Sequence, residues 1–524
     1  MQLHLTAHRW ESYGAITLCG SVYDDVMPCS LQQVAVTLVA CTTPKQVASY
    51  LQTLHGDFSI IIRSTTMACI AVSHTRLYPL FYRFVNNDWH ITDNPAILHQ
   101  KADVINPEAC RQYLYTGAPL AGNTLVEGLK QGKPASVTLF ENQYVTELSF
   151  SPYAAPIATP LVTKTLANTA FEKVLNTVFK RVINSVENRQ VVVPLSGGYD
   201  SRLVLAMLHK MGVKNILCYT VGKHNPLEQG IAKQVAAALQ VPLYHIDYRD
   251  AQYRMQQFKS AAFARFVDTI GADGNFMWLF EYNAILWLKQ QGLLQDNAVF
   301  IPGHVGDFYA GSHLRKLGIK EKESLQGIRR KLVLHAFEYG KPCWNTAFCA
   351  DIKKALQNLP HHQSSWLVAM QFIAENRLAH QILNSARVYE FLGYKVLLPL
   401  CDVDFIQFFS RLPFAALCEL SFYEEYLLKH VFEPLQIAFK KPTHAAQLRK
   451  QRLKNLLKPW VSRNLYLHRK KREDVTTETY LLNDMLAELS AIKGVELTLE
   501  NFASGNEVML YWYLNRVKNQ LKTS

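Results

Sequence analysis

The clearest pattern of apolar and polar positions runs from Val191 to Leu208. A run of β-branched residues is followed by small and polar residues, and then by apolar residues at helical spacing. This order predicts a buried strand, a tight loop and a helix. A strand, a helix and another strand are predicted next, at 215–221, 227–239 and 243–246. Such alternation indicates a parallel sheet that binds its ligand at the carboxyl ends of the strands.

The first 150 residues or so have a different pattern. Short runs of alternating apolar residues, such as 58–62 and 135–140, are separated by Gly, Asn and Pro. They predict a mostly β, layered domain. Residues 151–160 contain three prolines and no charge, which is typical of an extended linker. We therefore predict three parts: 1–155, 156–430 and a basic helical extension, 431–524.

The composition is that of a globular chain. Its 524 residues are 49% apolar, with no basic-then-apolar leader and no apolar run long enough to span a membrane. We therefore expect a cytoplasmic protein. The ten cysteines have neither C-x-x-C nor zinc-ligand spacing, so we expect buried or free thiols and no structural metal.

The formal charge of +13 is concentrated in one segment, because residues 440–472 contain twelve Lys or Arg and no acid. Apolar residues recur there at roughly helical spacing, which predicts an amphipathic helix. Two interpretations stay open: a solvated helix packed on its own domain, or a peripheral contact with an anionic membrane or a lipid-linked acidic glycan. No nucleic acid is expected as a partner, because nothing else resembles a recognition module.

The loop after the first strand of the sheet can hold an anion. Gly197 and Gly198 have no Cβ to keep a phosphate from the backbone, and the N–H groups that open the helix are unpaired. Ser196 and Ser201 add hydroxyl donors. The alternative is an ordinary strand-to-helix turn capped by Ser201.

Two charged residues in this loop sharpen the hypothesis. Asp200 can hold Mg²⁺ that shares the phosphate charge. Arg202 lies in the first turn of the helix, where a cation is unfavourable against the helix dipole unless an anion is bound there. We therefore predict that Arg202 is a pyrophosphate partner.

The S-G-G-x-D-S motif at 196–201 resembles the pyrophosphate loop of asparagine-synthetase-like ATP pyrophosphatases, which transfer AMP to a carboxylate and release pyrophosphate. The resemblance implies an α/β fold with a parallel-sheet ATP-pyrophosphatase (adenine nucleotide α-hydrolase-like) domain and a helical C-terminal part. It also implies ATP and Mg²⁺ as cofactors. The implied nucleotide-binding residues are Leu195, Ser196, Gly197, Gly198, Asp200, Ser201, Arg202, Val221 and Gly303.

A second glycine-rich loop, 303–311, resembles the family's G-E-G-x-D-E-x-x-G-G segment. Asp307 falls where the family has its second magnesium-binding carboxylate. His304 replaces a Glu of asparagine-forming members and Phe308 replaces another acid, so the apparatus that receives nitrogen is altered. A histidine of near-neutral pKa could take a proton from an ammonium or amine; the alternative is a His that only hydrogen-bonds the loop.

Two further positions resemble family motifs. Lys441 corresponds to a lysine that stabilises charge on the adenylate in the family, and a compact charge on a long stem suits that role. Glu228 matches an E-x-x-x-A spacing, but we interpret it as an acid stabilising the first turn of its own helix.

The N-terminal half resembles the glutaminase half of asparagine synthetases through segments 56–58, 77–82 and 128–132, in that order. The resemblance implies a degenerate Ntn-hydrolase-like layered domain. Such glutaminases use a cysteine exposed as the first residue after Met removal, whereas Gln2 stands at that place and Cys19 lies in an apolar run. The glutamine-binding N-G-E-x-Y-N motif is also absent. We predict no glutaminase activity and a role as packing partner.

Taken together, the motifs predict an ATP-dependent amide-forming ligase. It adenylates a small-molecule or glycan carboxylate, and ammonia or an amine displaces AMP; amidation of a sugar acid in surface-polysaccharide synthesis is one setting implied by the resemblance. An intramolecular cyclase of the lasso-peptide or β-lactam type is an alternative, and an inactive scaffold is another. The resemblance also allows a homodimer.

Overall fold

The computed structural model describes residues 1–153, 160–161, 163–221, 226–248, 250, 253, 258, 260–336, 346–357, 359, 364–418, 420–439, 479–502 and 504–523. Lys441, the basic segment 440–472 and the predicted boundary at 155/156 lie outside the described residues.

The N-terminal half contains two β-sheets. The smaller has the order β1-β8-β7-β9, and the larger has the order β11-β10-β6-β5-β3-β2 with β4 paired to β3. The strands are β1 (Gln2–His4), β2 (Glu11–Tyr13), β3 (Ile16–Asp24), β4 (Met27–Cys29), β5 (His55–Arg63), β6 (Ala68–Val72), β7 (Phe81–Val85), β8 (Asp88–Thr92), β9 (Lys130–Gln131), β10 (Ser136–Glu141) and β11 (Tyr144–Ser149). The predicted strands at 58–62 and 135–140 are therefore β5 and β10.

These sheets are layered, as predicted. Successive side chains of a strand point to opposite faces. On β5, Ile61 packs toward the smaller sheet, against a cluster that includes Leu80 and Ile91. Ile60 and Ile62 pack on the other face, against residues of two helices, α1 (Leu31–Val39) and α2 (Pro44–Leu51).

The remaining helices cover the second half of the chain and join it to the first. They are α3 (Pro107–Thr116), α4 (Lys164–Val186), α5 (Tyr199–Lys210), α6 (Pro226–Ala238), α7 (Ala261–Gly271), α8 (Phe280–Gln290), α9 (Gly306–Tyr309), α10 (Ser312–Leu317), α11 (Leu325–Ala336), α12 (Thr346–Gln357), α13 (Ser365–Asn376), α14 (Ile382–Ser385), α15 (Arg387–Phe391), α16 (Val403–Ser410), α17 (Phe414–Cys418), α18 (Ser421–Tyr426), α19 (Thr479–Lys493) and α20 (Gly505–Thr523). Short 3₁₀ turns lie at Pro95–Leu98, Leu378–His380, Pro399–Cys401, Glu433–Leu435 and Leu499–Asn501.

The second half is built on a parallel sheet with the order β14-β13-β12-β15-β16. Its strands are β12 (Val191–Pro194), β13 (Ile216–Val221), β14 (Leu243–Ile246), β15 (Val299–Phe300) and β16 (Lys395–Val396), and every adjacent pair is parallel. The chain leaves β12 toward β13 on one side and leaves β15 toward β16 on the other. The carboxyl ends of β12 and β15 therefore flank a topological switch point, where open α/β sheets bind ligands.

The fold class predicted from the sequence is confirmed: a layered N-terminal half, a parallel-sheet domain and a helical C-terminal part. Helix α18 continues into a π-helical turn, Leu427–Phe432, and both lie close to the site described below. The predicted boundary at 430/431 falls inside this turn, so the chain is continuous there. In the part of the chain that the structure describes, no helix combines the length and apolar character needed to cross a membrane.

Buried polar contacts join the two halves. The Tyr78 hydroxyl donates to Glu390 Oε1 at 2.5 Å, and His99 Nε2 lies 2.6 Å from Asp273 Oδ2. Burial raises the pKa of Glu390 to about 7. Because such groups are costly to bury unless they are paired, these contacts fix how the N-terminal half packs on the parallel-sheet domain.

Candidate active site

The loops that follow β12 and β15 contact each other at the carboxyl edge of the sheet. A Cβ on Gly303 would overlap the backbone nitrogen of Ser201, and a Cβ on Gly306 would lie 3.0 Å from Asp200 Cγ. Gly303 is required because the two backbones approach this closely, and a Cβ on Gly306 would crowd the side chains of Leu400, Asp200 and Tyr423. The structure thus brings together the two motifs that the sequence places about 100 residues apart.

Two serines close the first loop. Ser196 N–H donates to Ser201 Oγ at 3.1 Å, and the two hydroxyls lie 3.0 Å apart. Ser201 is buried, whereas Ser196 is exposed at the mouth of the loop. The predicted hydroxyls are therefore adjacent, and one of them is accessible to an anion.

Helix α6 forms the back of this loop. A Cβ on Gly197 would lie 2.6 Å from both Cα and the carbonyl oxygen of Glu228. Glu228 does lie in the first turn of α6, as the sequence predicts, and it also supports the backbone of the loop. Gly197 is required here for close approach between two backbones.

Asp200 and Asp307 meet across the two loops. The backbone N–H of Asp307 donates to Asp200 Oδ2 at 2.9 Å, and the Tyr423 hydroxyl donates to Asp200 Oδ1 at 2.9 Å. Burial raises the pKa of Tyr423, and the nearby charges of Asp200 and Asp307 raise it further. Sequence reasoning missed Tyr423, which lies in a helical stretch without any motif.

The donor set at this position fits Mg²⁺. Asp200 and Asp307 supply carboxylate oxygens, which are the hard ligands that Mg²⁺ prefers. The Asp307 side chain is exposed and, among the residues that the structure describes, makes no hydrogen bond or ion pair. The Asp200 carboxylate is thus held in place by hydrogen bonds, and the Asp307 carboxylate is available to bind a metal ion.

His304 lies in the second loop, and its pKa differs from the near-neutral value that the proton-acceptor interpretation requires. Burial lowers the pKa of His304 to about 4. The imidazole is therefore neutral at pH 7 and is a weak base. The next residue, Val305, has a φ of 58°, an unusual conformation for a β-branched residue, and it turns the chain into α9. The loop is thus strained beside the paired aspartates.

Arg202 does not face the loop opening, so its contacts do not support the predicted role as pyrophosphate partner, which stays a prediction. Its side chain is fully buried. Nη1 donates to the carbonyls of Ile437 and Phe439 at 3.1 and 2.8 Å, and Nη2 donates to the carbonyl of Gly197 at 3.1 Å. Three carbonyl oxygens accept the guanidinium hydrogen bonds and so stabilise this cation in the first turn of the helix.

The other predicted nucleotide-binding residues have different surroundings. Leu195 is buried and its N–H donates to Tyr219 O at 2.8 Å, so its side chain belongs to the core. Val221 ends β13, beside β12, and is half-buried at the same edge of the sheet. Lys441 lies outside the described residues, so its role stays a prediction.

A separate acidic cluster, formed by His55, Asp402 and Asp404, lies between the two halves. Arg181 Nη1 lies 2.8 Å from Asp402 Oδ1, and its Nη2 lies 2.8 Å from Asp404 Oδ2. The guanidinium already supplies the positive charge that these carboxylates require. We therefore interpret the cluster as a structural ion pair.

The thiols of the N-terminal half show no sign of activation. The pKa of each described cysteine in this half is raised, with burial as the largest cause; these are Cys19, Cys29, Cys41, Cys69 and Cys110. Catalytic cysteines have lowered pKa values, because the thiolate is the nucleophile. Cys19 is also buried within β3, as its apolar surroundings in the sequence suggest.

Comparisons with known proteins give three findings. Comparison with curated proteins gives no match. Among solved structures, the chain is similar to glutamine phosphoribosylpyrophosphate (PRPP) amidotransferase from B. subtilis, complexed with ADP and GMP. The identity is 10%, covering 46% of this chain and 73% of that chain, and the TM-score of 0.19 is too low to bear on the fold. Residues 175–497, which include both loops, match the asparagine synthase family, and because this match spans more than half of the sequence, the chain belongs to that family.

Proposed function

We propose that the protein adenylates a carboxylate substrate with ATP, releases pyrophosphate and transfers nitrogen to the acyl adenylate. The observation that carries this proposal is the pairing of Asp200 with Asp307 across two glycine-rich loops at the switch point of the sheet. A glycine-rich loop beside two neighbouring aspartates suits chemistry on a nucleoside triphosphate. Membership of the asparagine synthase family supports an ATP-dependent amide-forming ligase in general.

In the first step, a substrate carboxylate oxygen attacks the α-phosphorus of ATP and the bond to the β-phosphate oxygen breaks. The loop from Ser196 to Ser201 holds the leaving pyrophosphate through backbone N–H groups and the exposed Ser196 hydroxyl. Asp200 and Asp307 would hold Mg²⁺, which when bound supplies positive charge to the phosphate oxygens. Holding the reactants in line contributes much of the rate enhancement, because the translational and rotational entropy is lost on binding and not in the chemical step.

In the second step, ammonia or an amine attacks the acyl carbon, the C–O bond to AMP breaks, and the proton that the nitrogen loses goes to solvent. With a pKa of about 4, His304 is too weak a base to deprotonate an ammonium ion at neutral pH. We therefore propose that nitrogen arrives as the free base and that the neutral imidazole accepts a hydrogen bond from it. This role differs from the proton acceptor expected from the sequence.

We also propose that this chain does not hydrolyse glutamine. The raised pKa values of the described N-terminal cysteines leave them as thiols at neutral pH, and a thiol is a poor nucleophile. The nitrogen donor is then free ammonia, an amine, or ammonia from a separate glutaminase. The N-terminal half serves as a packing partner through contacts such as Tyr78 with Glu390.

We propose to test sugar acids first, either free or as part of a surface glycan. Other small-molecule carboxylic acids are tested in the same screen. ATP–pyrophosphate exchange detects adenylation without a nitrogen donor, because the first step is reversible. The protein should incorporate labelled pyrophosphate into ATP in the presence of at least one acid, and Asp200→Asn should abolish that incorporation. Exchange of equal rate in the Asp200→Asn variant would contradict the assigned site.

A further inference from the structure

Arg202 links the pyrophosphate loop to a distant part of the chain. One guanidinium nitrogen donates to the carbonyl of Gly197, 5 residues earlier, and the other donates to the carbonyls of Ile437 and Phe439, more than 230 residues later. The planar guanidinium can make these bonds together because its donors are fixed in a fork. The loop and residues 437–439 thus share one buried cation.

The surroundings of this cation are unusual. The Arg202 Cζ atom lies 5.2 Å from the ring centroid of Tyr199 and 5.1 Å from that of Phe432. Within the described ranges no carboxylate pairs with it, so carbonyl dipoles and aromatic faces compensate its charge. Burial lowers the pKa of Arg202 to about 10, which leaves it charged at neutral pH. A buried cation is costly unless its partners are held in place, so the arrangement resists displacement of any one carbonyl.

The contact with Gly197 has a consequence on the opposite side of the same peptide. In a trans peptide the carbonyl of one residue and the N–H of the next point in opposite directions. The Gly197 carbonyl points toward Arg202, so the Gly198 N–H lies on the opposite side of the peptide, where it donates to the exposed Ser196 Oγ at 3.1 Å. Because both residues joined by this peptide are glycines, the local backbone alone would restrain its rotation only weakly.

We propose that Arg202 is a positioning residue for the pyrophosphate loop. It fixes the orientation of the Gly197–Gly198 peptide and makes that orientation depend on the position of residues 437–439. This inference rests on the proposed function, since it concerns the same loop. Arg202 would act through the backbone of the loop, to which its guanidinium donates. Its removal is expected to weaken pyrophosphate binding by releasing the loop peptide, with the rest of the fold intact.

The test is calorimetric titration of the full-length protein with magnesium pyrophosphate, which needs no knowledge of the carboxylate substrate. Arg202→Lys keeps the charge but cannot bridge three carbonyls in one plane, so its affinity for pyrophosphate should fall about tenfold. The matched control is Arg76→Lys. Arg76 is also fully buried and donates to side-chain oxygens of Asn275 and Gln131, away from the loop. Arg76→Lys should lower the unfolding temperature and leave the affinity unchanged.

Wild-type affinity in folded Arg202→Lys would overturn the inference, and so would an equal loss in Arg76→Lys. If Arg202→Lys does not fold, Phe432→Leu takes its place, because it removes one of the two rings beside the guanidinium. The affinity of Phe432→Leu for pyrophosphate should fall about threefold. An unchanged affinity would refute the proposal. A wild-type protein that does not bind magnesium pyrophosphate would refute the proposed function, and this inference with it. If wild type and Arg202→Lys bind magnesium pyrophosphate equally well, the inference is refuted and the proposed function is not.

Discussion

The Tyr423 hydroxyl donates a 2.9 Å hydrogen bond to Oδ1 of Asp200, although the two residues are 223 positions apart in the chain. Tyr423 is on α18, and the π-helical turn that follows brings Phe432 beside Tyr199, with ring centroids 5.9 Å apart. The C-terminal helices therefore support the first turn of α5. The orientation of the candidate magnesium-binding carboxylate depends on a residue outside both motifs.

Tyr423→Phe should increase the Mg²⁺ concentration that ATP–pyrophosphate exchange requires. It removes one hydrogen bond to a charged group and leaves the ring in place, so the Mg²⁺ concentration for half-maximal ATP–pyrophosphate exchange should rise about tenfold. The control is Tyr426→Phe on the same helix, whose ring packs against Phe171. Tyr426→Phe should leave the Mg²⁺ response unchanged, and an equal rise in both variants would contradict the role of Tyr423.

Gly197→Ala should reduce ATP affinity by about tenfold or more, because the new Cβ overlaps a backbone and forces the loop to shift. Equilibrium binding of a fluorescent ATP analogue measures this effect. Gly230→Ala is the matched control on α6, where a Cβ would meet nothing within 4 Å. It should keep wild-type affinity and stabilise the helix by up to about 1 kcal/mol. Normal binding by Gly197→Ala would show that the loop does not need its close contact with Glu228.

Glu281 makes the stability of the fold depend on pH. Its carboxylate accepts a hydrogen bond from the Tyr219 hydroxyl, and burial raises its pKa from 4.5 to about 7. Below pH 4.5 this carboxyl is protonated in both the folded and the unfolded chain. Between the two pKa values the unfolded chain loses this proton while the folded chain keeps it, so the free energy of unfolding falls as pH rises, by up to about 3 kcal/mol.

Glu281→Gln removes this ionisation and keeps an oxygen that can accept from Tyr219. Its unfolding temperature should exceed that of wild type at pH 8, and the difference should shrink toward zero as pH falls below 4.5, because the Glu281 carboxyl is then protonated in both the folded and the unfolded chain. Thermal unfolding followed by circular dichroism across this pH range measures the difference. A difference that does not change with pH would mean that Glu281 is ionised in the folded protein.

The purified protein should not convert glutamine to glutamate. Cys19, the first cysteine of the chain, is buried, and its pKa is raised well above the ordinary value for a thiol. Glutamate production by wild type should match that of Cys19→Ala at every glutamine concentration. Production above this background would show that a thiol in this chain is activated after all.

The sequence was sufficient to predict the layered and parallel-sheet halves and the two glycine-rich loops. Those features are encoded by local periodicity and by contiguous motifs such as 196–201. β16 was not predicted, because two residues are too few to show a period.

Residues whose roles depend on distant packing were not predictable. Arg202 was assigned to an anion because the carbonyls of Ile437 and Phe439 that accept its hydrogen bonds come much later in the chain. His304 was expected to titrate near neutrality, but burial by residues around the loop lowers its pKa to about 4. Neither environment can be inferred from spacing along the sequence.

ATP should be split between its α and β phosphates at Asp200 and Asp307. The most direct measurement is product analysis with α-labelled and γ-labelled ATP, using an acid that supports exchange and an excess of ammonia. We expect AMP and pyrophosphate in equal amounts, with Asp200→Asn folded and nearly inactive. Formation of ADP and inorganic phosphate by the wild-type protein would contradict it.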